Sequence, residues 1–464
     1  MLGIIIGTIL LLNTVTAFVT VFRRPQDIAT SWAWLLVMLI PIIGPLVYFV
    51  LGRRLPHDRL RADSPRNAHG TALALERQLA GLETGKAAKL KATLIRVGGA
   101  LLSSGNQVEL IGERTEFNRR LCTDLSAARK TILLEAYTIE PGADGRRVRD
   151  LLTAAAKRGV TVRVLYDDFG SRRLGAKFWR DLKHADGQVE TFGSSKRGRL
   201  NPRVNYRNHR KIIVIDAAIA YTGGFNIGRQ KNKVRQTRDI QLRVRGTAVS
   251  IYERIAIADW NTTASTPAVE YTEPAVPVPP RPGATLQVLA SIPSLGTAQL
   301  DIAYLRLIAI AEKEIVIQTP YFIPSDSLMD ALGLAVGRGV TVRVLMPKRS
   351  DQPILTAASM FYMERLVNLG VHALIYQGDF VRSKVVIVDG KVASVGTANF
   401  DPRSFNLNFE VNTFIYDVDL CQRLLAASQR EARYAHELTA MGIAAIPRRR
   451  KFGQELARLF APVL

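Results

Sequence analysis

Three residues of types that can do chemistry stand close together near the middle of the chain. They are His209, Lys211 and Asp216, in the run NHRKIIVIDAAIAYTGGFNIG. In an extended strand, residues two apart share a face, so His209 and Lys211 point the same way. This pair suits attack on a phosphodiester, because a neutral imidazole can be the nucleophile while a fixed ammonium neutralises the phosphate charge.

The same frame returns 173 residues later with one member changed. The second run is VRSKVVIVDGKVASVGTANF, in which Lys384 and Asp389 match the first lysine and the first aspartate. Arg382 takes the place of the histidine. Asn399 matches Asn226 of the first run, and each lies 17 residues after the first member of its frame. A single His-x-Lys is often a surface basic pair, but the repeated spacing makes chance implausible.

Glycines stand beside both asparagines. Asn226 follows Gly223 and Gly224, and Gly396 precedes Asn399 by three residues. A backbone without side chains lets a phosphate approach closely.

The bulk composition favours a polyanionic partner. The 464 residues include 63 Lys and Arg against 40 Asp and Glu, which gives a net charge of +23. Such a surplus favours nucleic acid or an anionic bilayer, and charge alone does not choose between them. The length favours two domains. The two cysteines, Cys122 and Cys421, and the six histidines show no disulfide framework or metal-ligand spacing, so no metal site is predicted.

Two apolar runs near the N-terminus predict a transmembrane helical hairpin over residues 1–54. The runs 2–22 and 31–52 are each long enough to cross a hydrocarbon core, which needs roughly 20 residues. A signal peptide is the alternative for the first run, and the second run that follows at once disfavours it. The basic flank after Arg54 outweighs the arginine pair between the runs. The bulk of the chain is therefore predicted to face the cytoplasm.

The rest of the chain repeats one α/β unit. The seven residues GVTVRVL occur at 159–165 and again at 339–345. An apolar strand lies upstream of each copy, with a helical stretch between strand and repeat. This order predicts a sheet with parallel members and helices packed on its faces. The segments KIIVID and KVVIVD are apolar on both faces and are predicted to be central strands.

A Pro-rich stretch separates the two copies and is typical of an extended linker. The predicted boundaries are a transmembrane hairpin at 1–54, a connecting segment at 55–104, a first α/β domain at 105–264, the linker at 265–285, a second α/β domain at 286–440 and a basic amphipathic tail at 441–464. Two placements of the tail stay open, on the bilayer surface or packed on the second domain as a terminal helix.

In these motifs the chain resembles the phospholipase D superfamily, and within it the bacterial cardiolipin synthases. The resemblance covers nearly the whole length and rests on PIIGPLVYFVLGRR, NYRNHRKIIVIDAAIAYTGGFNIG, TPYFIP and VGTANFDPRSFNLNFEVN. It implies two tandem phospholipase D-like α/β domains, each a mixed β-sheet flanked by helices. They would pack face to face, share one active site and follow the transmembrane hairpin. It also implies transfer of a phosphatidyl group between two phosphatidylglycerol molecules, with release of glycerol and with no metal or cofactor.

The resemblance assigns roles to the residues as well. His209 would attack phosphorus and form a phosphohistidine intermediate. The side chains that would hold the phosphate oxygens are Lys211, Lys384, Asn226 and Asn399. Asp216 and Asp389 count with the catalytic motif residues, and structural support of the site is their expected role. An acidic residue after each motif would orient the histidine, Asp239 in the first copy and Glu410 in the second.

Arg382 departs from the family pattern, in which a second histidine protonates the leaving alkoxide. Arginine stays protonated at physiological pH, so it cannot cycle a proton. It can still bind phosphate and could pair with Glu410. Three readings stay open: an impaired or inactive member, slow turnover with water or another group supplying the proton, and roles rearranged around Arg382.

Other functions compete with cardiolipin synthesis. They are a nucleic-acid phosphodiesterase, which the apolar hairpin disfavours, a non-catalytic lipid-binding protein, and lipid hydrolysis or phosphatidylserine synthesis. The leading prediction is a multi-pass protein of the bacterial inner membrane with cytoplasmic catalytic domains. Its expected partners are phosphatidylglycerol and other anionic lipids, with no specific nucleic acid.

Overall fold

A computed structural model gives the structure of the chain. It describes residues 3, 7–8, 10–15, 40, 72–82, 84–175, 177–193, 206–228, 238–264, 267–271, 282–293, 298–378 and 381–460. Most of the predicted hairpin at 1–54 and most of the Pro-rich linker at 265–285 lie outside the described residues. Within those ranges, the structure contains no helix that is both long and apolar enough to cross a bilayer.

The described strands belong to one sheet. In chain order they are β1 (Leu102–Ile111), β2 (Thr131–Ala136), β3 (Thr161–Asp167), β4 (Gln188–Phe192), β5 (Arg207–Asn208), β6 (Ile212–Ile215), β7 (Ile219–Gly223), β8 (Gln241–Arg245), β9 (Ala284–Ser291), β10 (Glu314–Gln318), β11 (Thr341–Pro347), β12 (His372–Tyr376), β13 (Val385–Val388), β14 (Val392–Gly396), β15 (Asn408–Ile415) and β16 (Ala435–Glu437).

Helices lie between these strands and cover the sheet. Those with assigned bounds are α1 (Ala72–Ala80), α2 (Lys86–Gly98), α3 (Arg114–Ala127), α4 (Ala143–Lys157), α5 (Arg180–His184), α6 (Ala248–Thr263), α7 (Gln299–Ala309), α8 (Asp326–Gly337), α9 (Pro353–Asn368), α10 (Pro402–Asn406), α11 (Val418–Ala432), α12 (Ala440–Ala444) and α13 (Arg448–Phe460).

The sheet contains the same strand order twice. From its middle, the first copy runs β1-β8-β7-β6-β2-β3-β4, and the second runs β9-β15-β14-β13-β10-β11-β12. In each copy the last three strands are parallel and the others are antiparallel. The predicted α/β repeat with parallel members is confirmed. The segments KIIVID and KVVIVD form β6 and β13, which are fully buried and central as predicted.

The two copies join edge to edge through the antiparallel pair β1 and β9. This differs from the face-to-face packing that the resemblance implied. Pairing the two edges satisfies backbone groups that would otherwise be exposed on each copy. One hydrophobic core also spans both copies, because Tyr252 and Ile255 of α6 pack with strand residues of β6 and β13. The strands that carry the two chemical motifs therefore share one hydrophobic core.

The C-terminal tail packs on the second copy. Ala457 of α13 lies against Ile323 and Ala358, and the guanidinium of Arg458 lies 4.7 Å from the ring centre of Phe361 on α9. The structure therefore shows one face of the terminal helix packed on the second domain, and this packing leaves open whether its other face meets a bilayer.

Candidate active site

His209 lies in the short connection between β5 and β6. Its backbone N–H donates to the carbonyl of Phe409 at 3.0 Å, which ties it to β15 of the other copy. Its Nδ1 lies 2.9 Å from both carboxylate oxygens of Glu410. Glu410 is 0 % exposed. The first copy therefore supplies the imidazole and the second supplies its carboxylate.

Two polar side chains fix the Glu410 carboxylate. Thr397 donates its hydroxyl at 2.5 Å, and the Asn408 side-chain amide donates at 3.2 Å. Burial alone would raise the pKa of Glu410, but His209, Lys211 and Thr397 together bring it below its usual value. Sequence reasoning missed Thr397. Its position, next to the glycine that matches Gly223, was the available signal.

Burial favours the neutral form of the His209 imidazole. Burial lowers its pKa to about 4, and the nearby lysines add to the shift, although Glu410 opposes it. The ring of Tyr137 packs edge-on against it, with centroids 4.6 Å apart. An imidazole that keeps its lone pair at pH 7 has the form that a nucleophile requires.

The two motif lysines occupy equivalent positions. Lys211 Nζ donates to the carbonyl of His209 at 2.8 Å, and Lys384 Nζ donates to the carbonyl of Arg382. Burial lowers the pKa of Lys211 to about 7 and lowers the pKa of Lys384 as well. Both ammonium groups are buried in a site that also contains Arg382. An anion such as a phosphate would relieve the crowding of positive charge.

Arg382 occupies the place that mirrors His209. Its N–H donates to the carbonyl of Arg238 at 2.8 Å, and Arg238 precedes Asp239 as Phe409 precedes Glu410. Asp239 Oδ2 lies 3.9 Å from Lys384 Nζ.

This geometry corrects the predicted pairing of acids and histidines. Glu410 belongs to His209 of the first copy, so it is neither the acid of its own copy nor the partner of Arg382. By the same symmetry Asp239 faces the second motif. The reason is the antiparallel join of the copies, which brings the strand end of one copy against the motif of the other.

The predicted phosphate-binding asparagines flank these residues. Asn226 Oδ1 and Asn399 Oδ1 are buried, and neither has a hydrogen-bond partner among the residues that the structure describes. Gly224 packs so closely on Asp239 that a Cβ there would lie 1.9 Å from the carboxylate. The two glycine-flanked turns thus carry amide oxygens that can still accept a hydrogen bond, while only the Nδ2 groups of these asparagines could donate to a phosphate.

The structure separates Asp216 and Asp389 from the site. Asp216 accepts hydrogen bonds from the backbone N–H groups of residues 129–131 at 2.7–2.9 Å, and Asp389 does the same for residues 312–314. Each aspartate follows the strand that its motif lysine precedes. Five residues of extended chain, or roughly 16 Å, therefore separate the lysine from the aspartate in each motif. Both aspartates belong to the motifs by sequence, and these backbone contacts fit the structural role expected of them.

A buried charge network lies behind the nucleophile. Arg210 is fully buried and points away from the faces of its two neighbours, as strand alternation requires. It donates to the carbonyls of Glu410 at 3.1 Å and of Ser291 at 2.8 Å, and it forms an ion pair with Asp259. Arg210 therefore fixes β15 relative to the His209 connection from the inside of the protein.

Comparison with known proteins agrees with this geometry. The family described as "Cardiolipin synthase, PLD-like domain" matches residues 121–260 and 304–430. A second family, "Phospholipase_D-nuclease N-terminal", matches residues 11–53. Together they cover both halves of the site and the apolar N-terminus.

Full-length relatives give the same assignment, and one solved structure shares the fold. The chain is 35% identical over 478 residues to the major cardiolipin synthase ClsA of Bacillus subtilis, covering 100% of this chain and 99% of the relative. It is 35% identical over 485 residues to the cardiolipin synthase of Oceanobacillus iheyensis, with coverage of 100% and 99%. A phosphatidylserine synthase from Haemophilus influenzae superposes with a TM-score of 0.59 at 16% identity, over 82% of this chain and 100% of that one, and supports the fold. The chain belongs to the bacterial cardiolipin synthases of the phospholipase D superfamily.

Proposed function

We propose that this protein makes cardiolipin by moving a phosphatidyl group from one phosphatidylglycerol to the free hydroxyl of another. Glycerol leaves in the first step. The observation that carries the proposal is a buried, neutral His209 held by Glu410 of the other copy, beside two lysines. The 35% identity to full-length cardiolipin synthases supports the same substrate class.

In the first half-reaction, Nε2 of His209 attacks phosphorus. The Nδ1–H donates to the Glu410 carboxylate, which leaves the lone pair on Nε2 and stabilises the cation that forms. The new N–P bond replaces the P–O bond to glycerol, giving a phosphatidyl-histidine. In the second half-reaction the hydroxyl oxygen of another phosphatidylglycerol attacks phosphorus. The N–P bond then breaks, the hydroxyl proton passes to the group that protonated glycerol in the first step, and cardiolipin is released.

Charge that builds on the phosphate oxygens is met by fixed donors. Lys211, Lys384 and Arg382 supply three cations from the two motifs, and the side-chain amides of Asn226 and Asn399 supply further polar groups. Such preorganised donors contribute most where water is excluded, as it is around the buried lysines.

The proton that glycerol takes up needs a source other than Arg382. A guanidinium keeps its proton at any physiological pH, so Arg382 binds phosphate without exchanging protons. Lys211 has a pKa of about 7, which lies in the range where a general acid works best. Lysine or a water molecule bound to it supplies this proton, and turnover is slower than it would be with a second histidine.

The proposed setting is the bacterial inner membrane. The match of residues 11–53 to the N-terminal family supports a multi-pass anchor, and the basic flank after Arg54 supports cytoplasmic catalytic domains. Phosphatidylglycerol and other anionic lipids are the partners, and the proposal includes no specific nucleic acid. Labelling of single cysteines from each side of intact inner membranes tests this topology.

A second candidate function rests on Arg382. With no second histidine, the protein would bind phosphatidylglycerol in the same site without turning it over. Three cations around a buried site favour retention of an anionic headgroup, whether or not the lipid is then turned over.

One experiment separates these functions. The full chain, reconstituted in vesicles of labelled phosphatidylglycerol, is followed by mass spectrometry beside the His209→Ala variant. We expect cardiolipin and glycerol in equal amounts from the parent and neither from the variant. Binding without either product favours the lipid-binding function. Phosphatidic acid in place of cardiolipin indicates hydrolysis.

A further inference from the structure

The terminal helix α13 has an apolar face directed away from the protein. Phe452, Leu456 and Leu459 are 67 %, 45 % and 37 % exposed. They lie at positions i, i+4 and i+7, which form one stripe of a helix. The opposite face packs on the protein, where Gln454 and Ala457 are buried. The apolar stripe is thus left over after the helix has packed on the second copy.

Cations border this stripe on both sides. At 100° per residue, the exposed Arg448 and Arg449 fall to either side of Phe452 and Leu456. Together with the next two basic residues they occupy the first turn of α13, where positive charge opposes the helix dipole. Arg450 and Lys451 are attracted to Glu364 on α9, whereas the exposed Arg448 and Arg449 are free to attract an external anionic surface.

The helix also lies close to the candidate active site. Ala457 packs with Ile323, whose N–H donates to the carbonyl of Phe400 at 2.7 Å. Phe400 directly follows Asn399, one of the two asparagines of the site. A surface that contacts α13 is therefore held beside the second motif.

We propose that α13 lies in the interface of an anionic phospholipid bilayer and holds the active site at the membrane surface. Phe452, Leu456 and Leu459 enter the acyl boundary, while Arg448 and Arg449 reach the headgroup phosphates with their charged ends. The exposed Glu455 also lies at one edge of the stripe, but Arg448 and Arg449 outnumber it, so the apolar residues and the charges beside them are both complementary to anionic lipid. The placement of α13 holds whether or not the site turns lipid over.

The depth of the helix in the bilayer can be measured by fluorescence quenching, which tests the proposal without an activity assay. Leu456→Cys carries a bimane label in the full chain, reconstituted in phosphatidylglycerol vesicles with or without brominated acyl chains. Leu334→Cys is the matched control, because Leu334 is a leucine 67 % exposed on α8. The parent chain, with native Cys122 and Cys421, measures background labelling. We expect at least twofold stronger quenching at position 456 than at 334. Equal quenching overturns the proposal.

A second copy of the chain is the alternative occupant of the stripe. The label at position 456 could be shielded from bromine in the dimer and then show the emission of a water-exposed label when the protein is diluted to a monomer. That result would make α13 a dimer contact, and the proposal would be wrong.

Activity on two forms of substrate gives a further readout. Phe452→Ser with Leu456→Ser should lower turnover of phosphatidylglycerol vesicles at least fivefold, while turnover of dispersed short-chain phosphatidylglycerol changes less than twofold. The Leu334→Ser variant should leave both rates as in the parent. A parallel loss on both substrates, with an unchanged melting temperature, contradicts a membrane role for the stripe.

Discussion

Replacing Arg382 with histidine should raise turnover about tenfold or more. The structure already holds most of what an imidazole needs there. The N–H of residue 382 donates to the carbonyl of Arg238, as that of His209 donates to the carbonyl of Phe409. Asp239 Oδ2 is buried and has no hydrogen-bond partner in the described part of the chain. It is placed to orient the new ring as Glu410 orients His209.

Two opposing effects set the magnitude. General acid–base help is worth ~10²–10⁴ in rate. Loss of one charged hydrogen bond to phosphate costs about 1.5–3 kcal/mol, or about 10–150-fold. The middle of both ranges leaves a gain above tenfold, or ~1.4 kcal/mol of barrier.

The assay measures cardiolipin formation in phosphatidylglycerol vesicles over a range of pH. Arg382→Gln is the control, because it removes the same charge without adding a titrating group, and it should fall below the parent. Adding Asp239→Asn to Arg382→His should remove most of the gain. If Arg382→His only equals the parent, proton transfer at position 382 does not limit the rate and the reasoning fails.

The other predictions concern the nucleophile and its supports. Glu410→Gln should lower single-turnover phosphatidylation of His209 by ~10²–10⁴, and a loss below twofold would contradict the crossed pairing. Because the pKa of His209 is about 4, kcat/KM should stay flat between pH 5 and 6.5, and a fall at an apparent pKa of 6.5 would refute its neutral state. Arg210→Met should cost about 3–5 kcal/mol of unfolding free energy, read by denaturant melts in detergent, since it leaves Asp259 buried and unpaired. Asp216→Asn should cost about 1–3 kcal/mol. The pKa of Asp216 is lowered on folding, so its stabilisation is present above the unfolded value and is lost as pH falls through the folded one. The variant should therefore lose less stability than the parent below pH 4, and an equal loss would exclude this role.

Repetition made much of the fold predictable. Two copies of GVTVRVL and two apolar KxxxxD segments predicted a repeated unit with parallel members and the central strands β6 and β13, because local patterns set those elements. The pairing of Glu410 with His209 was not predictable in this way. It depends on the join of β1 with β9, which brings together residues 201 apart in sequence.

The role of Asp216 was open to simple arithmetic. Five residues of extended strand separate it from Lys211, which is too far for contact with one phosphate. Thr397 was not predicted for a different reason. Its hydroxyl donates a hydrogen bond to Glu410, which the sequence spacing had assigned to the second motif and not to His209.

The crossed arrangement of acids has a consequence for how this chain can diverge over generations. Glu410 must be kept for the sake of a histidine in the other half, although its own half has no histidine to serve. Asp239 has no histidine to orient, because position 382 is an arginine. Substitutions at Asp239 and Arg382 can therefore accumulate together. We expect descendants of such a protein to lose the first-copy acid before the second-copy acid. Each half of the gene is then constrained by the other half more than by its own motif.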